Sequence, residues 1–208
     1  MSQDVKKIRG TRTRATRSKI VTAAAELFIA EGYHATTLEQ IALRAGVAVQ
    51  TVYFHFGNKR TVLKEAVDVA AVGDDQPSAL LERPWLEEAQ AESDPWRVME
   101  LWIDNGRKVL IRVAAIMRAV RDAAAVDPEM AEQWALNESQ TATAFRVLAE
   151  QFETMGALRV SVDEATDMLC ALSGLSMYLV LADRGWTDQQ WQKFVLDTTT
   201  HAILRRRE

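Results

Sequence analysis

The sequence predicts an all-α protein, with an N-terminal three-helix domain joined to a larger helical bundle. Apolar residues recur at helical spacing along most of the 208-residue chain, and no segment shows the period-two alternation of a strand. Capping residues and glycines stand where these apolar segments begin and end. Because 48% of the residues are hydrophobic, the chain has enough apolar side chains to bury a core.

The composition argues against several classes of protein. No run of eighteen apolar residues and no secretory signal pattern is present, so we expect a cytoplasmic protein without a membrane span. The single cysteine, Cys170, excludes an intrachain disulfide, and three scattered histidines give no metal-ligand spacing. We therefore predict neither a metal site nor a cofactor.

Charge is distributed unevenly along the chain. Residues 1–60 contain ten Lys and Arg against four Asp and Glu, a balance of +6, whereas the remaining residues contain 15 and 25, a balance of -10. A basic end on an acidic body suits a polyanion-binding domain joined to a domain of another kind. A basic tail that only increases solubility would give the same charge balance.

The N-terminal region divides into an arm and a helical domain. Residues 1–15 are basic and nearly devoid of apolar side chains, which predicts a flexible arm. From Thr16 an apolar stripe at helical spacing predicts a first helix, which we expect to end at Gly32 in a left-handed cap. The helical domain is predicted to cover residues 16–72.

Two short helices follow within this domain. Thr37 and Gln40 form a predicted capping box for the second helix, which continues to about Ala45. Gly46 allows a sharp turn, and a third helix is expected to end near Phe56. A small residue, a glycine turn and apolar inner faces are what a helix-turn-helix requires, and residues 37–56 supply all three. A fourth helix is predicted from Lys59 to about Val72.

The C-terminal part is predicted to consist of long helices after a linker at 73–84. Proline at the first helical position opens segments at Pro95 and Pro128. The first segment reaches about residue 126, and we expect a break near residues 106–112 because a rod of about 48 Å exceeds a compact domain of this size. Capping boxes at Ser161 and Thr187 predict helices over 162–184 and 188–206.

The N-terminal domain resembles the DNA-binding domain of the Tet repressor family of bacterial transcription regulators. The resemblance covers roughly residues 16–70 and rests on AxxLFxxxGY in the first helix, TT before the second, IAxxAGV at the turn, TxYxHF in the third and NK before the fourth. One departure is Ala48, where the family usually has a serine that caps the recognition helix. The missing cap is expected to destabilise that helix by about 1 kcal/mol.

The resemblance implies a DNA-binding role for six residues. Gln50 would read a base edge, with adenine favoured by geometry, while Thr51 and Tyr53 would contact phosphate or a thymine methyl group. Thr37, His55 and Lys59 would bind backbone phosphates. The structural alternative is packing in the core for Tyr53 and His55, and a solvated surface charge for Lys59.

The resemblance also implies that residues 73–208 sense a small molecule and form a homodimer. Large aromatic and soft side chains there can line a cavity or simply fill a core. Polar residues near them in sequence are the better indicators of a pocket, which gives the candidates Trp102, Asn105, Met117, Arg118, Arg121, Trp134 and Asn137. Extensive apolar surface on the last two helices predicts a dimer built as a four-helix bundle.

The function predicted on this basis is a dimeric regulator, expected to be a repressor, that binds a pseudo-palindromic double-stranded DNA operator and responds to a small-molecule effector. One alternative is a helical interaction module whose basic arm binds acidic partners. Another is a helical-bundle enzyme, which the sequence disfavours because it has no phosphate-binding glycine loop, no GxSxG and no HExxH.

Overall fold

A computed structural model describes residues 2–72 and 84–206, with side chains from residue 13 onward. The described residues form ten helices: α1 (Ser2–Ala35), α2 (Leu38–Ala45), α3 (Val49–Phe56), α4 (Lys59–Val72), α5 (Pro84–Ala91), α6 (Pro95–Ala124), α7 (Pro128–Thr154), α8 (Val162–Ser173), α9 (Leu175–Asp183) and α10 (Asp188–Ile203). The all-α class is confirmed. Among the described residues there is one isolated β-bridge, which joins Leu158 and Leu204 in antiparallel orientation.

The chain forms two compact units. Unit 1 comprises Met1–Asp75 and Ala115–Gln133, and unit 2 comprises Gln76–Ala114 and Trp134–Glu208. This division differs from the predicted boundary at residues 72/73, because the end of α6 and the start of α7 belong with the N-terminal helices. The predicted linker lies outside the described residues except for Pro84, which begins α5.

The first helix is longer than predicted. Helical backbone runs from Ser2, so residues 2–15 continue α1 instead of forming a separate arm. Lys, Arg and Gln are good helix formers, which accounts for this continuation. The regular helix is interrupted at Gly32, as expected, but with φ 82° and ψ 167° this glycine lies outside the left-handed helical region predicted for it.

Unit 1 has a continuous apolar core built from α1 to α4. Ile20, Phe28, Ile41, Val52 and Leu63 are fully shielded from solvent, and each comes from the apolar stripe of its helix. Burying side chains of this size stabilises a fold by about 1.5–3 kcal/mol each. The core thereby fixes the orientation of the short helices α2 and α3, which could not be stable alone.

Two predictions about long helices are wrong. Helix α6 is uninterrupted through Gly106, because a single glycine costs only about 1 kcal/mol in a helix that is packed along its length. Conversely, the predicted helix over 162–184 is broken at Gly174, which has extended backbone and separates α8 from α9. A Cβ at Gly174 would collide with the carbonyl oxygen of Cys170, so only glycine fits this break.

Helices α9 and α10 of unit 2 pack against each other through aromatic side chains. Trp191 is 2% exposed, and its ring lies edge-on to Tyr178 with centroids 5.5 Å apart. The Tyr178 hydroxyl also donates to Asp188 at 3.0 Å, so α9 and α10 are joined by both apolar and polar contacts. The predicted capping boxes at Ser161 and Thr187 are confirmed, with both reciprocal hydrogen bonds present in each.

One described segment, Val162–Asp183, is long and apolar enough to count as a candidate membrane span, with a mean hydropathy of 1.5. It corresponds to α8 and α9, which are interrupted at Gly174. Leu169 and Leu179 from this segment are fully buried within unit 2. Core helices of globular proteins satisfy the same length and hydropathy criteria.

Candidate nucleic-acid interface

The turn between α2 and α3 is closed by backbone hydrogen bonds. Gly46 adopts φ 67° and ψ 38°, and its N–H lies within reach of the carbonyls of Ala42 and Leu43. The N–H of Val47 also donates to the Ala42 carbonyl at 3.0 Å. The left-handed conformation is readily available only to glycine, so this residue sets the direction in which α3 leaves the turn.

Helix α3 has one buried face and one exposed face. Val52 and Phe56 are 0% and 5% exposed and anchor the helix in the core of unit 1. Residues two positions away in a helix lie about 200° around its axis, which places Gln50 and Phe54 opposite Val52. Gln50 is exposed. We call the solvent-facing residues Gln50, Tyr53 and Phe54 the outer face of α3.

The start of α3 carries no side-chain cap. Ala48 occupies the N-cap position with extended backbone and makes no side-chain hydrogen bond. The predicted absence of a cap is therefore confirmed. Backbone N–H groups in the first turn of a helix have no intrahelical partner, so this end of α3 is suited to an acceptor such as a phosphate oxygen.

The capping residue of α2 is in the predicted position. The Thr37 hydroxyl oxygen accepts a hydrogen bond from the Gln40 N–H at 3.2 Å, and the Gln40 side chain accepts from the Thr37 N–H at 2.7 Å. Thr37 is exposed, and its hydroxyl also carries a donor. Its geometry therefore combines helix capping with access to a ligand at the start of α2.

Lys59 makes internal contacts that the sequence did not indicate. Its ammonium donates to the backbone carbonyls of Tyr33 at 2.6 Å and Thr36 at 2.8 Å, and lies 4.2 Å from the centre of the Tyr33 ring. Burial lowers the pKa of this ammonium below its ordinary value. Two of the three N–H donors of Lys59 thus join α4 to the last turn of α1 and to the residue that follows it.

His55 is half-buried between two aromatic rings. Its ring centroid lies 5.3 Å from that of Phe54 and 6.3 Å from that of Phe56, both in edge-to-face geometry. The His55 backbone carbonyl accepts a hydrogen bond from Arg17 at 3.1 Å. Thr51 is also half-buried, whereas Tyr53 keeps 49% of its surface exposed.

Arg17 is the main structural residue that sequence reasoning missed. Its guanidinium donates twice to the Glu65 carboxylate, at 2.8 and 2.7 Å, and lies 4.5 Å from the centre of the Phe56 ring. These hydrogen bonds lower the pKa of Glu65 and raise that of Arg17. We call Arg17, Glu65, Lys59 and Tyr33, with the carbonyls they bind, the inner junction of unit 1.

Arg60 links α4 to the start of α7 within unit 1. Its guanidinium lies 3.5 Å from Glu129 and 3.4 Å from Glu132. These carboxylates are more than half exposed, so each pair contributes little to stability. No sequence pattern predicts such a long-range pairing, because the partners are about 70 residues apart.

The seven candidate ligand-binding residues are divided between the two units. Four of them, Trp102, Asn105, Trp134 and Asn137, belong to unit 2, and the other three, Met117, Arg118 and Arg121, belong to unit 1. Trp102 and Met117 are 6% and 1% exposed, as core residues are. Trp102 also packs edge-on against Trp85, with ring centroids 5.3 Å apart.

Comparisons with known proteins identify the N-terminal domain. The profile described as bacterial regulatory proteins, tetR family, matches residues 20–66. The HTH-type transcriptional regulator SrpR of Pseudomonas putida is 49% identical over 49 residues, which are 24% of this chain and 23% of that protein. The match therefore spans less than a quarter of that relative's length.

Solved structures extend the likeness to nearly the whole chain. NalD, the secondary repressor of the MexAB-OprM multidrug efflux pump in Pseudomonas aeruginosa, has a TM-score of 0.69 at 24% identity, covering 94% of this chain and 98% of its own. SmeT in complex with triclosan gives 0.69 at 23% identity, covering 92% of each chain. At these identities the likeness establishes the fold. Residues 20–66 thus resemble the tetR family of bacterial regulatory proteins, and the chain as a whole shares the fold of NalD and SmeT.

Proposed function

We propose that this protein is a cytoplasmic transcriptional regulator that binds a pseudo-palindromic DNA operator as a homodimer. The observation that carries the proposal is the outer face of α3, which projects Gln50 and Tyr53 into solvent from a helix anchored by Val52 and Phe56. A helix held in this way can enter the major groove, which admits an α-helix and displays a distinct pattern for each base pair.

The side chains of the site divide by chemistry. Gln50 carries an amide that can bond both N6 and N7 of adenine, so it is the proposed base reader. Tyr53, through its hydroxyl, and Thr51 are suited to phosphate oxygens. Thr37, His55 and the third donor of Lys59 are proposed to fix the position of the domain on the backbone. These backbone contacts would fix the position of the domain along the duplex and contribute to its affinity for DNA, whereas Gln50 would determine the sequence preference.

Dimerisation is proposed to use the surface of α8, α9 and α10. Val180 on α9 is 49% exposed and Phe194 on α10 is 36% exposed. The Phe194 ring packs against Trp186, which is also exposed, with centroids 5.6 Å apart. A two-fold dimer formed through this apolar surface would carry two copies of α3, as a palindromic site with half-sites about 34–36 Å apart requires.

The C-terminal helices are proposed to bind a small-molecule effector that releases DNA, which would make the protein a repressor. NalD is a repressor, and SmeT was solved with triclosan, which supports both parts of the proposal by likeness of fold. In unit 2, the buried indole nitrogens of Trp85 and Trp102 have no hydrogen-bond partner among the described residues. An effector with an acceptor atom would satisfy these donors. Release of DNA requires that the effector bind the DNA-incompetent conformation more tightly than the DNA-binding one.

The experiment that tests DNA binding measures the affinity of the full-length protein for duplexes as salt is raised. One duplex contains the region upstream of its own gene, and the other has a random sequence of the same length. We expect tighter binding to the first and a steep loss of affinity for both with salt, because phosphate contacts release counterions. Equal, salt-independent affinities would rule out the proposed function.

A matched pair of variants tests the site. Gln50→Ala should reduce the preference for the upstream duplex, whereas Gln189→Ala, which removes an exposed glutamine from α10, should leave it unchanged. Analytical ultracentrifugation of a Phe194→Glu variant then tests the dimer. A charge in the proposed interface should yield monomers, and a dimer that persists would place the interface elsewhere.

A further inference from the structure

Phe54 is the most exposed large hydrophobic residue among those that the structure describes. It keeps 84% of its surface accessible although it lies on α3, a helix whose other phenylalanine, Phe56, is 5% exposed. Leaving a phenylalanine ring in water forgoes the favourable transfer that normally drives such side chains inward. The core of unit 1 does not use this ring, so most of its surface is available to a ligand.

The position of Phe54 relates it to the proposed base reader. Gln50 and Phe54 are four residues apart, so their side chains lie on the same face of α3, one turn from each other. Four residues advance a helix by about 6 Å, close to the span of two base-pair steps of about 3.4 Å each. A helix that brings Gln50 to one base pair therefore brings Phe54 to a neighbouring position in the same groove.

The ring is also supported from one side. Its centroid lies 5.3 Å from that of the half-buried His55 ring, and the two planes meet at 76°. Edge-to-face contact of this kind is favourable and restricts the ring without covering its outer surface. Phe54 thus presents apolar surface in a supported orientation.

We infer that Phe54 is a specificity-determining residue that contacts the 5-methyl group of a thymine in each operator half-site. Thymine is the only base that places an apolar group at the edge of the major groove, and phenylalanine is among the side chains that contact it. Neither of the residues first considered for this contact is as well suited, because Thr51 is half-buried and Tyr53 carries a hydroxyl. This inference rests on the proposed function and identifies a second base, besides the one read by Gln50, that the protein would recognise.

The test removes the methyl group alone. A duplex enriched from a random pool by the full-length wild-type protein is resynthesised with each thymine in turn replaced by deoxyuridine in both half-sites. We expect one thymine, about two base pairs from the position read by Gln50, to be sensitive, with affinity falling about fourfold per half-site. For Phe54→Ala the same replacement should have almost no effect.

Two further variants serve as controls. Leu43→Ala removes a side chain of nearly equal exposure, 83%, from α2, and should respond to deoxyuridine as the wild type does. Phe54→Leu keeps part of the apolar contact and should retain part of the response. Because Phe54 is so exposed, the melting temperature of Phe54→Ala should match that of the wild type, which separates loss of contact from loss of folding.

The outcomes distinguish this inference from the proposed function. If the wild type enriches a sequence but no thymine responds to deoxyuridine, or if Phe54→Ala keeps the full response, the thymine contact is overturned while the regulator function stands. A wild-type protein that enriches no sequence at all overturns the proposed function, and the inference with it.

Discussion

The outer face of α3 and the inner junction lie within the same small unit but use their side chains in opposite ways. Gln50, Tyr53 and Phe54 are uncharged and exposed. Arg17 and Lys59 carry charges that are bound to a carboxylate and to backbone carbonyls. Both basic residues belong to the positively charged segment 1–60, yet their contacts in the structure join helices to one another.

This difference separates two kinds of mutation. A change in the inner junction removes bonds that hold α1, α3 and α4 together, so it should first lower stability. A change on the outer face removes no internal contact of that kind, so it should alter DNA preference and leave stability nearly unchanged.

Replacing Arg17 with Ala should have the largest effect on folding. It removes two hydrogen bonds to Glu65, one to the His55 carbonyl and the stacking on Phe56. Charged hydrogen bonds of this kind, about one-third exposed, should together contribute about 2 kcal/mol. Urea denaturation followed by circular dichroism measures the loss.

A second arginine provides the control for that variant. Arg44 also forms a close pair with a glutamate, Glu26, at 2.7 Å, but both side chains are more than half exposed. Arg44→Ala should therefore lower the free energy of unfolding by less than about 1 kcal/mol. Equal losses for the two variants would contradict the structural role given to the inner junction.

Replacing Lys59 with Met should lower the free energy of unfolding by about 1–2 kcal/mol, because the carbonyls of Tyr33 and Thr36 lose a charged donor. The salt dependence of duplex binding should also weaken by about one phosphate contact. Lys64→Met, an exposed change on the same helix, is the control for charge. An unchanged salt slope would mean that Lys59 has only a structural role and contacts no phosphate.

Acidification should change the free energy of unfolding through the Arg17–Glu65 pair, and this is the smallest of the expected effects. The pKa of Glu65 is lowered by its bonds to Arg17, so the pair stabilises the fold at neutral pH and loses this contribution as pH falls below the ordinary glutamate value of 4.5. The stability difference between wild type and Glu65→Gln should therefore shrink on acidification. A difference that grows at low pH would contradict this sign.

Local signals in the sequence predicted much of the fold. The capping boxes at Thr37, Ser161 and Thr187 are present with both bonds, because each depends on residues only three positions apart. Breaks within long helices were not predicted correctly. A break was expected near residues 106–112, and α6 has none there. The break occurs instead at Gly174, and the serines near it on both sides are a signal that accompanies helix kinks.

The candidate site was predictable only in part, for a related reason. Gln50 and Tyr53 were predicted because the motif in α3 resembles that of a known DNA-binding family. The partners of Arg17 and Lys59 are 48 and 26 residues away, and no local pattern encodes such pairings. Phe54 was missed because a phenylalanine in an apolar helix is normally assigned to the core.

We propose that the sequence preference of the protein lies on the outer face of α3, and a single ratio of affinities measures that preference. This ratio compares the affinity for the enriched duplex with that for random DNA, measured at a single salt concentration for wild type, Gln50→Ala and Lys59→Met. We predict that Gln50→Ala lowers the ratio about tenfold, as the loss of a bidentate base contact should, and that Lys59→Met leaves it unchanged. A ratio that survives in Gln50→Ala but falls in Lys59→Met would contradict the claim.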